Sequence, residues 1–231
     1  RYRHYIRRNR GDAMNSIITP NHYPVNREGL VLWLAYRNSG GVAATGTWKD
    51  YSGNGNDATL YGNVLVNQNG AVFDRTIGTY MKCSLGAMTT RTFMFNLKLN
   101  DYVLYWYDCI TNDGSGYQGF ILQDNVGDED SPYLYYSNTG GSAIANFGTL
   151  TVGSKTALAL TTDGSTISFY QDGVCIASGV SYSHTQSADI YIGSNAGNSR
   201  PSAIEIDDIM IFNRILPAGE IKANYLRNKR N

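Results

Sequence analysis

From Leu30 onward the chain alternates. Apolar residues recur at every second position in short runs, separated by clusters of Gly, Asn, Asp and Ser. A period of two belongs to a strand with one buried face. The pattern predicts strands near Leu30–Tyr36, Ala58–Leu60, Gly70–Phe73, Tyr80–Leu85, Thr92–Leu99, Tyr102–Cys109 and Gly119–Gln123. It continues through Tyr133–Tyr136, Ser142–Phe147, Thr156–Thr161, Thr166–Gln171, Val174–Ala177, Asp189–Ile192 and Ile204–Phe212. So many short strands with regular turn signals predict an antiparallel sandwich or barrel. Asp163-Gly164 and Asp172-Gly173 are dipeptides suited to the positive φ of tight hairpins. Ile204, Ile206, Ile209 and Ile211 cannot share one face under strict alternation, so a bulge is expected near Asp207-Asp208. One segment reads as helix, with Pro217 in its first turn, Glu220 after it, and Ile221, Tyr225 and Leu226 on a common face.

Composition adds a second layer. Of 231 residues only 16% are charged, Gly numbers 25 and Tyr 18, and 42% are apolar, which excludes a disordered chain. Nineteen basic residues balance nineteen acidic ones, a balance that at first excludes nucleic-acid binding. The distribution changes that picture. Arg1, Arg3, Arg7, Arg8 and Arg10 fall in the first ten residues, which hold no acid, and Arg227, Lys229 and Arg230 fall in the last five. Residues 11–226 keep eleven bases against nineteen acids, a net of −8. Basic ends on an acidic body are the mark of interaction tails, or of solvated termini. The expected organisation is a basic, extended arm at 1–28, interrupted by Pro20 and Pro24, one domain at 29–226, and a basic tail at 227–231.

Cys83, Cys109 and Cys175 have no metal-ligand spacing and leave one thiol over in any disulfide scheme, so buried free thiols are expected. The longest apolar stretch, Leu30 to Tyr36, is far below the ~20 residues of a membrane helix. No leader is visible before Arg1, so either one was removed or the start is not the translated one.

Four segments carry a family resemblance. Trp48-Lys49-Asp50-Tyr51-Ser52-Gly53-Asn54-Gly55-Asn56-Asp57 resembles the D-x-S-G-N-x-N loop of laminin G-like, concanavalin A-like jelly-roll domains. The hairpin from Thr162-Asp163-Gly164-Ser165 to Phe169-Tyr170-Gln171-Asp172-Gly173-Val174 is similar to a hairpin of that family. Tyr191-Ile192-Gly193-Ser194 resembles its strand ending in Ile-Gly. Ile206-Asp207-Asp208-Ile209 through Asn213-Arg214-Ile215-Leu216 to Glu220-Ile221 resembles its C-terminal signature. The resemblance covers about residues 29–226. It implies an all-β, two-sheet antiparallel jelly-roll sandwich with an extended arm and one short C-terminal helix. It also implies non-catalytic use in carbohydrate binding, adhesion or assembly.

The same resemblance implies calcium, with Asp50, Asn54 and Asp207 as its candidate ligands, since calcium takes six to eight oxygen donors. The competing reading gives Asp50 and the asparagines to the turn backbone. Asp124-Asn125 with Asp128-Glu129-Asp130 is a second acidic loop open to the same two readings. Hydrolase chemistry of the related β-glucanases needs a pair of carboxyls. Glu205-Ile206-Asp207-Asp208 begins that pattern, but Ile209 and Met210 stand where a second Glu belongs. Gly114-Ser115-Gly116-Tyr117-Gln118-Gly119 mimics a dinucleotide loop, yet strand, not helix, follows it. His4, His22 and His184 are scattered, and Arg10-Gly11-Asp12 is a three-residue match on an arm.

Aromatic residues are the remaining clue. Tyr105 and Tyr107 alternate with Trp106 in one predicted strand, and Tyr135 lies in another. Core packing, sugar stacking and subunit contact all use such rings. Two functions are therefore expected. The first is a structural subunit of a virion or extracellular surface, whose arm reaches neighbouring copies, other subunits, or nucleic acid. The second is a secreted module that binds glycans.

Overall fold

The computed structural model describes residue 24 and residues 26–35, 46–67, 70–86, 88–101, 107–111, 119–125, 128–137, 143–181, 189–194 and 200–229. In chain order the strands are β1 (Leu30–Leu34), β2 (Thr47–Trp48), β3 (Ala58–Tyr61), β4 (Leu65–Asn67), β5 (Gly70–Val72) and β6 (Tyr80–Ser84). They continue with β7 (Arg91–Leu99), β8 (Tyr107–Thr111), β9 (Gly119–Asn125), β10 (Asp128–Ser137) and β11 (Ala143–Thr149). The last are β12 (Lys155–Thr162), β13 (Thr166–Gln171), β14 (Val174–Ser181), β15 (Asp189–Ile192) and β16 (Ile204–Phe212), followed by helix α1 (Ala218–Lys229).

The strands form two antiparallel sheets. The first runs β14-β13-β12-β7-β16-β5-β4, with β1 also pairing β16; the second runs β11-β10-β9-β8-β15-β6-β3-β2. Alternation explains what lies between them. Leu32, Leu34, Phe93, Phe95, Leu158, Leu160, Phe169 and Ile206 of the first sheet meet Met81, Cys83, Ile110, Ile190 and Ile192 of the second in one buried core. Each such large side chain contributes about 1.5–3 kcal/mol by leaving water. The expected bulge is present: the register of β16 shifts between Asp207 and Met210, and Asp208 takes φ +47°. That extra residue resets the alternation, so Ile204, Ile206, Ile209 and Ile211 all enter the core.

Part of the outer face of the first sheet is covered, while β14 at its edge stays exposed. Trp33, Met94, Ala159, Tyr170, Met210 and Phe212 form a second apolar cluster with Leu216 and Ile221, at the helix end of the chain. Arg214 fastens this arrangement. Its guanidinium donates to both carboxylate oxygens of Glu220 (2.7 and 3.1 Å) and to the Glu28 carbonyl (2.7 Å). The helix departs from expectation in one respect. Ile221 and Asn224 are buried, but Leu226 is exposed, because five residues at 100° each place it about 140° from Ile221. Arg227 and Lys229 continue this helix.

Three further differences concern strands and turns. Asp172-Gly173 is a two-residue turn with both φ positive (+50° and +76°) joining β13 to β14. Asp163-Gly164 is not: Thr162 pairs Ile167, and the Asp163 carboxylate accepts the amides of Ser165 and Thr166. β2 and β4 were not expected, having two and three residues, too few to display a period. The acidic residues placed in a second loop instead end β9 and begin β10.

Candidate functional site

Among the described residues, β3, β6 and β15 of the second sheet leave an outer face partly open. Along β6, Met81 and Cys83 point into the core while Tyr80, Lys82 and Ser84 point away. On β15, Ile190 and Ile192 turn inward and Asp189 and Tyr191 outward; on β3, Thr59 and Tyr61 are exposed. Register sets these side chains in rows across three strands: Tyr61 opposite Tyr80, Thr59 opposite Lys82 opposite Tyr191, and Ser84 opposite Asp189.

Geometry makes this a constructed surface. The rings of Tyr61 and Tyr80 stack with centroids 4.4 Å apart, and Tyr80 and Tyr191 lie 6.1 Å apart. Tyr61, the outermost of the three, is 39% exposed. Lys82 Nζ sits 2.8 Å from Asp189 and 5.5 Å from the centre of the Tyr191 ring. Ser84 Oγ donates to the other Asp189 oxygen at 2.6 Å. The hydrogen bond from Lys82, then that from Ser84, holds the Asp189 carboxyl below its ordinary range, and the same bond to Asp189 raises the Lys82 amine. Burial, then the neighbouring tyrosines, pushes the Tyr80 phenol upward. Beside these groups lies an open cleft of about 410 Å³ lined by Gly55, Asn56, Asp57, Thr59, Tyr61, Lys82 and Ser84.

The loop before β3 forms the lip of that cleft, and Asp50 organises it. The carboxylate, 5% exposed, accepts the amides of Trp33 (2.9 Å), Ser52 (2.8 Å) and Asn56 (3.0 Å) and the Ser52 hydroxyl (2.6 Å). The amide of Asn54 donates to the carbonyls of Leu30 and Val31, and that of Asn56 to Val31. The Asp50 amide donates to Asp57. Four donors occupy the Asp50 oxygens, so they do not fit a calcium ion as arranged. Asp207 answers a different set: its carboxylate takes Lys155 Nζ at 2.5 Å, while Glu205 bonds Lys98 (3.4 Å) and Lys155 (3.2 Å). Asp50 and Asn54 are thus brought together through the Ser52 hydroxyl, whereas Asp207 bonds Lys155 and not that loop. Among the described residues no group of three or more His, Cys, Asp or Glu gathers as a metal site.

The other expected site residues fall largely elsewhere. Arg1, Arg3, Arg7, Arg8, Arg10, Tyr105 and Trp106 lie outside the described residues. Tyr107 and Tyr135 are placed by register alone, Tyr107 opposite Leu122 and Tyr135 opposite Ile121 and Asn146. The row Tyr61, Tyr80, Tyr191 was not foreseen. Its signal was present in Tyr80-Met81-Lys82-Cys83-Ser84 and Asp189-Ile190-Tyr191-Ile192, where tyrosine and charge share the outward positions.

A two-sheet lectin-like sandwich with an open outer face places the chain in a class, and sequence comparison agrees. The family model of the concanavalin A-like lectin/glucanases superfamily matches residues 52–222, and the chain belongs to that superfamily. Among solved structures it resembles Trypanosoma rangeli sialidase, with TM-score 0.67 and 18% identity over 87% of this chain and 33% of that one. It also resembles the botulinum neurotoxin type G receptor binding domain, with TM-score 0.64 and 17% identity over 87% of this chain and 52% of that one. The chain therefore spans a third to a half of these neighbours, and the likeness is one of fold. No curated protein matches its sequence. Among the described residues no helix is long and apolar enough to cross a membrane.

Proposed function

We propose that this protein is a carbohydrate-binding module that holds glycans, without cleaving them, on the outer face of its second sheet. The observation that carries this reading is the exposed Tyr61 ring, stacked on Tyr80, at a cleft lined with Asn56, Asp57, Thr59, Lys82 and Ser84. Pyranose rings offer an apolar face to an aromatic ring and a rim of hydroxyls to paired donors and acceptors. Two structural neighbours support it at the level of fold, one of them described in complex with sialic acid and the other as a receptor binding domain. Binding without cleavage is favoured because Glu205 and Asp207, which begin a hydrolase-like pattern, are each joined to lysine. Such a module works where glycans are displayed, on an extracellular or virion surface. An assembly role draws on the basic first ten residues and the basic last five beside an acidic body, and segregated charge favours it less than an open cleft with an exposed tyrosine favours sugar.

A glycan array followed by calorimetry tests the reading. Tyr61→Ala is expected to weaken binding at least tenfold, equivalent to about 1.4 kcal/mol. An array without a single bound glycan, or a Tyr61→Ala protein that binds as tightly as the parent, overturns it.

A further inference from the structure

We propose that the glycan taken by this face is uncharged, and that sialylated and sulfated sugars are excluded. The inference rests on the carbohydrate reading above and names its substrate class. Among the described residues, the ionised side chains placed at the cleft or joined to its lining are Lys82, Asp57 and Asp189, with the buried Asp50 behind the lip and Arg27 bonded to the lip carbonyls of Tyr51 and Ser52. At the cleft itself one cation, Lys82, stands between the carboxylates of Asp57 and Asp189.

That cation is committed. Lys82 lies 2.8 Å from Asp189 and over the Tyr191 ring, and Asp189 is held in turn by Ser84. An incoming carboxylate or sulfate that reached for Lys82 would have to compete with Asp189 and leave that acid without its ion pair. It would also approach Asp57, which lines the cleft, and the electron-rich faces of the tyrosines. Any phosphate or sulfate site would want the reverse: an unengaged Arg or Lys and backbone amides turned outward. Here the lip amides of Ser52 and Asn56 point at Asp50 instead, and that of Asn54 at the Ser52 hydroxyl.

A neutral sugar meets none of these penalties. Its vicinal hydroxyls can donate to Asp57 and Asp189 while accepting from the Lys82 ammonium and the Thr59 hydroxyl, and the existing pairs stay intact. Charged acceptors strengthen such hydrogen bonds relative to neutral ones. Tyr61 and Tyr80 stack on each other and Lys82 sits over Tyr191, so Tyr61, 39% exposed, is the ring left for a sugar to meet.

The test compares neutral oligosaccharides with their sialylated and sulfated counterparts, using the full chain on an array at low and raised salt. The expected result is that the bound glycans are neutral and that each acidic counterpart binds at least tenfold more weakly. Asp57→Asn, which keeps the oxygen that accepts the Asp50 amide, should narrow that gap, as should raised salt. Acidic glycans bound as tightly as, or more tightly than, their neutral counterparts overturn this inference and leave the carbohydrate reading standing. An array without any bound glycan overturns the carbohydrate reading itself, and this inference with it.

Discussion

Asp50 is a single carboxylate that answers four donors, and alanine in its place leaves the amides of Trp33, Ser52 and Asn56 without that acceptor. Each partly buried donor so orphaned costs about 1–3 kcal/mol. Asp50→Ala should therefore destabilise the protein by roughly 3 kcal/mol or more in denaturant unfolding, with Asp50→Asn intermediate because it keeps one acceptor oxygen. Gly193 shows the same economy in the opposite sense. It takes φ +84°, and a Cβ there would collide with the Phe73 ring, which explains the glycine of the Ile-Gly strand end in physical terms. Two of the three cysteines separate cleanly, and the Cys109 side chain lies outside the described ones. Burial, then the charge of Asp50, pushes the Cys83 thiol up to about 12, whereas Cys175 is exposed. The expectation of buried free thiols thus holds for Cys83 and fails for Cys175, which sits on the open strand β14. Alkylation of the native protein, mapped by peptide mass, should label Cys175 and spare Cys83 until denaturant is added.

At the scale of elements, β16 brings an acidic pair to the outer face of its sheet. Burial pushes the Asp207 carboxyl above its ordinary value, against the pull of Lys155 and Asn96, and Glu205 adds to the rise. Burial lowers the Lys155 amine, but Asp207 and then Glu205 outweigh it and leave the amine raised. An acid whose folded value is raised contributes stability below its unfolded value near 4 and loses it as pH climbs through the folded value. Asp207→Asn removes that titration. The stability of the variant relative to the parent should therefore rise as pH increases from about 3 toward neutral, read as thermal midpoints of both proteins. A relative stability that falls over the same window would contradict the assignment. Much of this element was legible beforehand, because four isoleucines out of step with alternation require a bulge. The turn at Asp163 was not, since Asp-Gly serves equally in a two-residue hairpin and in a loop closed by the aspartate side chain. β2 and β4 escaped because two or three residues carry no period.

Among the described residues of the whole molecule the two flanks differ. Helix α1 and Leu216 cover part of the first sheet, and the second sheet leaves Tyr61 exposed and Tyr80 and Tyr191 half-buried. Sandwich architecture could be read from the sequence because every strand repeats the same inside-outside rule. The site could not, because its residues come from β3, β6 and β15, which become neighbours only when the sheet order β15-β6-β3 is known. Tyr191 is over a hundred residues from Tyr80, and no local spacing joins them. The lip of the cleft is also the loop that Asp50 folds against β1. Occupancy of the cleft should therefore be felt at the amides of Trp33, Ser52 and Asn56. Their hydrogen-deuterium exchange is expected to slow when a glycan is bound, while amides of the distant β13–β14 hairpin keep their rates. Recognition would then leave an imprint inside the protein, on amides whose acceptor is the carboxylate that shapes the lip.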